Sequence, residues 1–482
     1  MEFENQTPFP ALAFQGIDQH QQGFHVVVLR QTLSWQRAGM LEFADEQEAL
    51  CEEDEHLAPE DGGAVVQESD LCHFKPRCDV IVKGLAYPPA DEASRMSSFP
   101  VRLTLSKPAA ELVLPPRPRG LNPFMAPSPE ALRDWERACE AARARTPEGE
   151  KLVSKSLLVH GPRAFVRPRA PVRLVGALLR VGSLGLLRWP RWRLVSSAAT
   201  TPVPLDLGQS WGGLNRILAG TPAARSLKQR GTRASGAPGS ASQVLRVEAC
   251  AANPAGKGFA RSWFVRAERL SRIAAPRLES PSRPVSARDL ERVMHGNKGD
   301  GSELVAGLGV RPKGHPERAK LAGTVDERFA ASEEVLPQDF DFAVWNAAWP
   351  DQQTEHLAGD ERLELLNLCP TDQPAADALA QGTRLRLALP GHQIALTVRM
   401  ASGELFYHQA SLDTLVVDTE KCTVSLVWRA ILAKDEEDPI RKVEARSYAP
   451  AQWQQLMRDT QAWREFLASA PDGEAEREVL HG

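Results

Sequence analysis

The chain lacks a long apolar run, a C-x-x-C pair, and any lysine or arginine ahead of Arg30. A membrane-spanning helix needs roughly 18 apolar residues in succession. The most apolar stretch, Leu174 to Val195, is cut by Arg180, Arg188, Arg191 and Arg193, so no membrane partner is expected. Without early cations or a sustained apolar core, the N-terminal stretch does not read as a secretory signal. Cysteines stand at 51, 72, 78, 139, 250, 369 and 422. This odd, scattered set predicts reduced thiols in a cytoplasm and no disulfide framework. Missing too are H-E-x-x-H and any paired Cys/His spacing. In the nearest cluster, Cys72-His73 with Cys78, adjacent strand residues would point to opposite faces, so no metal is expected. Ala255-Gly-Lys-Gly258 ends in glycine where a phosphate loop needs Ser or Thr, and Gly307-Leu-Gly309 lacks a third glycine. No cofactor is expected. Nor is there an internal repeat of roughly 20–50 residues, which disfavours a solenoid or propeller.

What is present is length and punctuation. The 482 residues include 37 prolines and 34 glycines, which argues for many short elements joined by turns. Strand-like runs cover Phe24 to Leu33, Asp79 to Lys83, Val101 to Leu105, Leu385 to Leu389, Ile394 to Val398, Thr414 to Asp418 and Thr423 to Trp428. The expected fold is mainly β (α+β), with antiparallel β-sandwich-like subdomains, long loops and a few peripheral helices. Four regions follow: a β-rich 1–120, a helical insertion 121–150, a basic, loop-rich 151–300, and a β-rich 301–482 ending in an amphipathic helix. One helix is expected from Ser128, with proline at its first position, to about Arg145. The terminal one carries Trp453, Leu456, Met457, Trp463, Phe466 and Leu467 at helical spacing, a stripe expected to pack on its own domain. Ala219 to Ser242 reads as an exposed or mobile loop and Ser280 to Glu303 as loop-rich.

A net charge of −4 conceals strong segregation. From Lys151 to Val247 there are 16 lysines and arginines and one acid, Asp206. From Ala38 to Phe74 there is no cation, and Asp45 to Asp61 holds nine acids. A basic block of this kind suits an acidic protein surface, the chain's own acidic segment, or nucleic acid. Phe165, Trp189 and Trp192 interleave with the arginines as in a stacking groove, but aliphatic residues and prolines break the block, and core packing is preferred. Gly208-Gln-Ser210-Trp-Gly212 fits the nucleophile pattern G-x-S-x-G. The Thr201 to Leu207 stretch before it carries two prolines and an aspartate, a poor central strand. A hydrolase using Ser210 and a nucleic-acid-binding accessory module are therefore the alternative readings.

Ordered motifs carry a family resemblance. Thr7-Pro-Phe9 with Val26-Val-Val28, Glu68-Ser-Asp-Leu71, Lys75-Pro76 and Asp79-Val-Ile-Val-Lys-Gly84 open the series. Val203-Pro-Leu205, Trp211-Gly-Gly213, Asn253-Pro-Ala-Gly-Lys-Gly258 and Pro276-Arg-Leu-Glu279 follow. Next come Ala306-Gly-Leu-Gly309, Ala322-Gly-Thr-Val-Asp326 and Leu336-Pro-Gln-Asp-Phe-Asp341. Pro350-Asp-Gln352, Leu357-Ala-Gly-Asp-Glu361, Leu366-Asn-Leu368, Leu412-Asp-Thr414 and Trp428-Arg429 complete it. Together they resemble the bacterial "domain of unknown function 2169" family, encoded beside type VI secretion systems. Trp211 stands where that pattern has Phe, Val325 where it has Tyr, and Arg117 to Glu150 reads as an insertion.

The resemblance implies a cytoplasmic, non-enzymatic adaptor or chaperone that binds a toxin effector and aids its loading onto the PAAR/VgrG spike. Its motif residues are expected to be structural: Glu68, Asp70, Lys75, Pro76, Asp79, Gly84, Gly212, Gly213, Asn253, Gly256, Gly258, Asp339, Asp341, Asp351, Gln352, Gly359, Asp360, Glu361, Asn367, Asp413 and Trp428. Among these, Asp360 and Asn367 have the short polar side chains that hold loop amides. Partner contact is expected at Arg180, Arg188, Arg191 and Arg193, and no catalytic residue is assigned.

Overall fold

The strand Ser98–Ser106 shows the construction principle: Phe99, Val101, Leu103 and Leu105 are buried, while Arg102 between them faces solvent. The computed structural model describes residues 1–37, 40–56, 64–89, 96–109, 149–168, 191–218, 220–228, 244–296, 299–373, 375–379 and 382–469, with 128, 130, 133–134 and 137–138. Most of the helix expected over 128–145 therefore lies outside the described residues, as do Arg180, Arg188 and Trp189.

The described chain is strand-rich, with several mostly antiparallel sheets and few helices. Its largest sheet has 13 strands. The order runs Leu278–Glu279, Lys151–His160, Ser98–Ser106, Arg362–Leu366, Gly382–Ala388, Met40–Phe43, Gly23–Arg37, Thr423–Ala433, Ser411–Asp418, Cys78–Lys83 and Gln353–Thr354. Ala11–Ile17 and Ala376–Leu379 join it beside Gly23–Arg37 and Gly382–Ala388. Strands from the two β-rich ends of the sequence thus alternate in one sheet. Leu103, Leu365 and Leu385 lie opposite one another on three neighbouring strands and are all fully buried. The central parts of the Gly23–Arg37 and Thr423–Ala433 strands are buried on both faces, which suits the apolar runs Val26-Val-Val-Leu29 and Leu426-Val-Trp428 and forces the buried Arg30, Gln31 and Arg429 to find internal partners.

A four-stranded sheet, ordered Glu2–Asn5, Ile440–Tyr448, Gln393–Met400 and Leu405–Gln409, shares this core through Ile394, Leu396, Val398 and Val443. A second core gathers Phe165, Trp192, Trp211, Phe259, Leu290 and Val293. Phe165 and Trp192 are therefore packing groups, and neither ring is offered to a stacking base.

Two regions differ from expectation. Ala219 to Ser242 contains a helix, Pro222–Lys228, whose Ala223 and Ala224 pack on Ile217. Ser280 to Glu303 contains the helix Ala287–Met294, started by a reciprocal Ser286/Asp289 capping box. Its S-x-x-D signal was present in the sequence. In the terminal helix Pro450–Ser469, Trp453 lies 6.0 Å from the Tyr448 ring, whereas Met457 is exposed. The side chains of Trp463, Phe466 and Leu467 lie outside the described residues.

Truncating Leu365 to alanine removes the middle of the leucine row. The expected loss is about 2–5 kcal/mol in urea denaturation, the range for a buried leucine whose cavity cannot collapse.

Candidate functional site: a buried knot of charged motif residues

The strand Cys78–Lys83 lies inside the large sheet, so the charges its flanking turns bring in must be matched internally. Asp79 is fully buried and accepts three hydrogen bonds besides its ion pair: from the Asn346 amide group at 3.1 Å and from the backbone of Ala347 at 2.8 Å and Ala348 at 3.1 Å, while the Lys75 ammonium at 2.9 Å completes the set. Lys75 also donates to Thr414 Oγ1 at 2.8 Å. Burial alone would lower the Lys75 pKa, but Asp79, with Cys72 and Asp413 behind it, outweighs burial and the net shift is upward. Pro76 forms the turn between them, half-buried.

One layer away, Arg429 donates to Asp413 at 2.6 Å and to the carbonyls of Asp70 at 3.0 Å and Cys72 at 2.6 Å. The Asp70 carboxylate in turn receives Arg30 and the Cys51 amide, both at 2.9 Å. Arg30 reaches on to Glu48 at 2.8 Å. Burial pushes the Glu48 carboxyl up, but Arg30, Lys421 and Ser425 together hold it at about 2. Glu68 closes the outer side, its two oxygens each 2.6 Å from the Arg318 guanidinium. Four of the expected motif residues (Asp70, Lys75, Asp79 and Asp413) therefore meet in one network, joined through Thr414 and Arg429, with the Glu68–Arg318 pair as a separate tie.

Arg30 and Glu48 belong to the network and Arg318 to the Glu68 pair, and none of the three was foreseen. The signal for Arg30 was a cation set in the apolar run Phe24 to Leu33. The acidic segment is partly neutralised here too, by Arg30, Lys421 and, through Asp54, Lys313 at 2.6 Å. None of these cations comes from the basic block. Beside the knot, a cleft of about 280 Å³ is lined by Arg30, Glu48, Cys51, Lys83, Asp418 and Lys421.

The other motif residues tie loops to this frame. Gln352 donates to the carbonyls of Val80 at 2.7 Å and Leu308 at 2.8 Å, and Asp351 pairs with buried Lys155 at 2.7 Å. Asn367 accepts the Thr383 amide at 3.0 Å and donates to Pro100 at 2.9 Å, as expected of a loop anchor. The same role expected of Asp360 falls instead to Glu361, which accepts Ala358 at 2.7 Å and Gly359 at 2.9 Å while Asp360 is exposed. The reason is reach: Glu361 is buried beneath the turn and its longer side chain returns to the amides. Asp339 holds Thr324, Asp341 caps the turn Phe342–Trp345, and Trp428 donates to Gln31 at 3.1 Å. Gly84 has a positive φ and lies against Thr419.

In the second core, Asn253 donates to the carbonyls of Leu207 at 2.8 Å and Trp211 at 2.9 Å. A Cβ on Gly212 would stand 2.1 Å from the Asn253 carbonyl, at φ +149°, so only glycine fits there. Gly213, Gly256 and Gly258 line the same crossing, where Trp211–Gly212 pairs with Lys257–Gly258. Ser210 sits here as well, fully buried, its Oγ accepting the Ala306 amide at 2.8 Å. Leu207–Gln209 is a 3-10 turn capped by Asp206, without the strand and helix of a nucleophile elbow.

A third cluster joins the cores: Glu279 receives His160 and Arg163, both at 2.7 Å, and the Val285 amide at 3.0 Å. Arg191 and Arg193 are exposed on and beside the strand Arg193–Ser196. Among the described residues, no group of three His, Cys, Asp or Glu side chains could hold a metal ion. Nor is any described helix long and apolar enough to cross a membrane.

Fold and site define a large, mostly antiparallel β protein in which the motif residues Asp70, Lys75, Asp79 and Asp413 are sealed in buried ion pairs. The chain belongs to the bacterial family described as "uncharacterized protein conserved in bacteria (DUF2169)", whose sequence model matches residues 20–113 and 137–429. Thr7-Pro-Phe9 lies ahead of that match, and the unmatched stretch between the two segments overlaps the insertion read from Arg117 to Glu150. No curated protein and no solved structure matches the chain.

Two outcomes test the knot. Arg429→Ala strands the buried Asp413 carboxylate and is expected to cost about 3–5 kcal/mol in urea denaturation, with part of the loss recovered when Asp413→Leu and Arg429→Met are combined. The second concerns acid. Burial raises the Glu279 carboxyl, but His160, Arg163 and Val285 hold it at about 2 against an ordinary 4.5. A depressed carboxylate stabilises the fold above its unfolded value, and that contribution disappears as pH falls through the folded one. Stability should therefore drop between about pH 4.5 and 2, and Glu279→Gln should flatten that drop.

Proposed function

We propose that this chain is a non-enzymatic, cytoplasmic adaptor or chaperone of a type VI secretion system. It binds a toxin effector and aids its loading onto the PAAR/VgrG spike. The observation that carries this reading is the use made of the charged motif residues: Asp70, Lys75, Asp79, Asp413 and Arg429 are buried and committed to one another. Residues spent in this way build a scaffold and leave recognition to the surface.

The surface that suits an acidic effector is the outer face of the sheet Arg193–Ser196, Arg163–Val166, Arg272–Ala274. Arg193, Val166 and Arg272 lie opposite one another across its three strands, and both arginines are exposed. Arg191 flanks them. Lys155 and Arg163, from the same basic block, are taken up by Asp351 and Glu279 and are not available. The arginine row would select an acidic partner and speed encounter, and the adaptor would then be exchanged for spike contacts.

Combining Arg191→Glu with Arg193→Glu should weaken capture of the effector encoded nearby by about tenfold at low salt, and less as salt screens the charges. Capture that is unchanged at low salt removes these arginines from the binding surface.

A further inference from the structure

Sheet edges expose unpaired amides and carbonyls, and proteins usually blunt them with short strands, charges or proline. The large sheet ends on two-residue strands, Leu278–Glu279 and Gln353–Thr354. In the four-stranded sheet, one edge, Glu2–Asn5, carries two glutamates. The Ala11–Ile17 strand is mostly half-buried, with Leu12 its one large exposed apolar residue. The other edge of the four-stranded sheet, Leu405–Gln409, has none of these protections. It holds no Asp, Glu, Lys, Arg or Pro, and Leu405, Phe406 and Tyr407 are 43%, 37% and 49% exposed.

The hydrogen-bond register shows which groups are free. Met400 donates to Glu404 and Ala410 to Ile394, at either end of the ladder with Gln393–Met400. Alternation then turns the amides and carbonyls of Phe406 and His408 inward, and those of Leu405, Tyr407 and Gln409 toward the open edge. No described residue pairs with these outward groups. Side chains alternate as well: Phe406 stands opposite buried Val398 on the core side, while Leu405 and Tyr407 lie on the outer face. An added strand would therefore meet apolar surface on both of its faces.

Charge distinguishes the ends. Glu404 precedes the strand, and Ser402 in the same turn donates to Asp438, holding the Asp435 to Asp438 turn alongside. These five acids outnumber the nearby cations Arg399, Lys434, Arg441 and Lys442, the last of which is already paired with Glu4 and Glu444. A second copy pairing antiparallel through Tyr407 would set Gln409 beside this acidic ledge and leave it unmatched. A partner with its own cations would match it.

We propose that Leu405–Gln409 is a β-addition site. It takes, as an added strand, an extended partner segment that is apolar on both faces and carries lysine or arginine at the end beside Leu405. In the cell the proposal rests on the adaptor reading, with the effector supplying that segment.

The test uses the full chain and fluorescein-labelled Val-Phe-Val-Tyr-Val peptides, flanked at either end by two lysines or two glutamates. A lysine-flanked peptide should bind about tenfold tighter than its glutamate counterparts. Tyr407→Pro deletes only an outward amide, so it should leave the fold's melting temperature intact and weaken binding about tenfold or more. Leu405→Lys should do the same by charging the edge. With the unaltered protein, a peptide N-methylated at alternate amides should also fail to bind, independently of any variant's folding. Equal binding by Tyr407→Pro and by the N-methylated peptide overturns the proposal. So does a dimer in light scattering that Tyr407→Pro dissociates, which would assign the edge to a second copy. Capture of the neighbouring effector separates the two readings. If wild type captures it and Tyr407→Pro captures it equally, the edge is wrong and the adaptor stands. If wild type binds the peptide but no effector, the edge stands and the adaptor reading fails.

Discussion

The Arg429 guanidinium binds carbonyls as far as 359 positions back along the chain, and the architecture depends on that reach. The Ala38 to Phe74 stretch has no lysine or arginine of its own, so its acids find countercharges only outside it, in Arg30 just before and where the chain returns. Arg429 and Lys421 come from or beside the hairpin of Ser411–Asp418 and Thr423–Ala433, Arg30 from the strand next to it, and Arg318 from a distant turn. Each is held by a carboxylate or a carbonyl of the early segment. Loss of one guanidinium would leave a buried carboxylate in a low dielectric, far costlier than the loss of a surface pair. The early acidic segment is thus fixed to strands from the far end of the sequence by pairing that water cannot replace.

The same constraint explains what could be read from the sequence. The seven strand runs all appear, because β-branched and aliphatic residues on a pleated, buried surface announce themselves locally. Their order did not. Arg362–Leu366 lies between Ser98–Ser106 and Gly382–Ala388, and Cys78–Lys83 pairs parallel with Ser411–Asp418. Such pairings depend on long-range complementarity that no local window contains. Arg30 illustrates the limit: in sequence it resembles a solvated position in a strand, and only Asp70 and Glu48 make it an interior residue. The choice between Asp360 and Glu361 turned on burial, which spacing cannot supply.

The basic block divides along similar lines. Lys155 and Arg163 are inside, paired with Asp351 and Glu279, whereas Arg191 and Arg193 stay exposed. A local charge excess is therefore an upper bound on what a partner meets, since part of it is consumed in building the fold. The tryptophans behave alike: Trp192 and Trp211 are core residues, and Arg167 stacks over Trp192 at 5.2 Å from within the same structure.

In the proposed adaptor, the two surfaces would then do different physical work. An exposed arginine row acts at a distance set by screening, about 8 Å in physiological salt, and so governs encounter more than retention. A strand ladder acts only on contact, is insensitive to salt, and reads backbone more than sequence. An adaptor that must capture a particular effector, shield an apolar segment and later give it up gains from separating the two. Selection can be tuned by charge without strengthening the hold. Release requires only that a competing surface offer the segment an equivalent edge. The knot serves neither purpose directly: Asp79, Asp413 and Arg429 are committed to one another inside the fold, so both surfaces can vary without disturbing them.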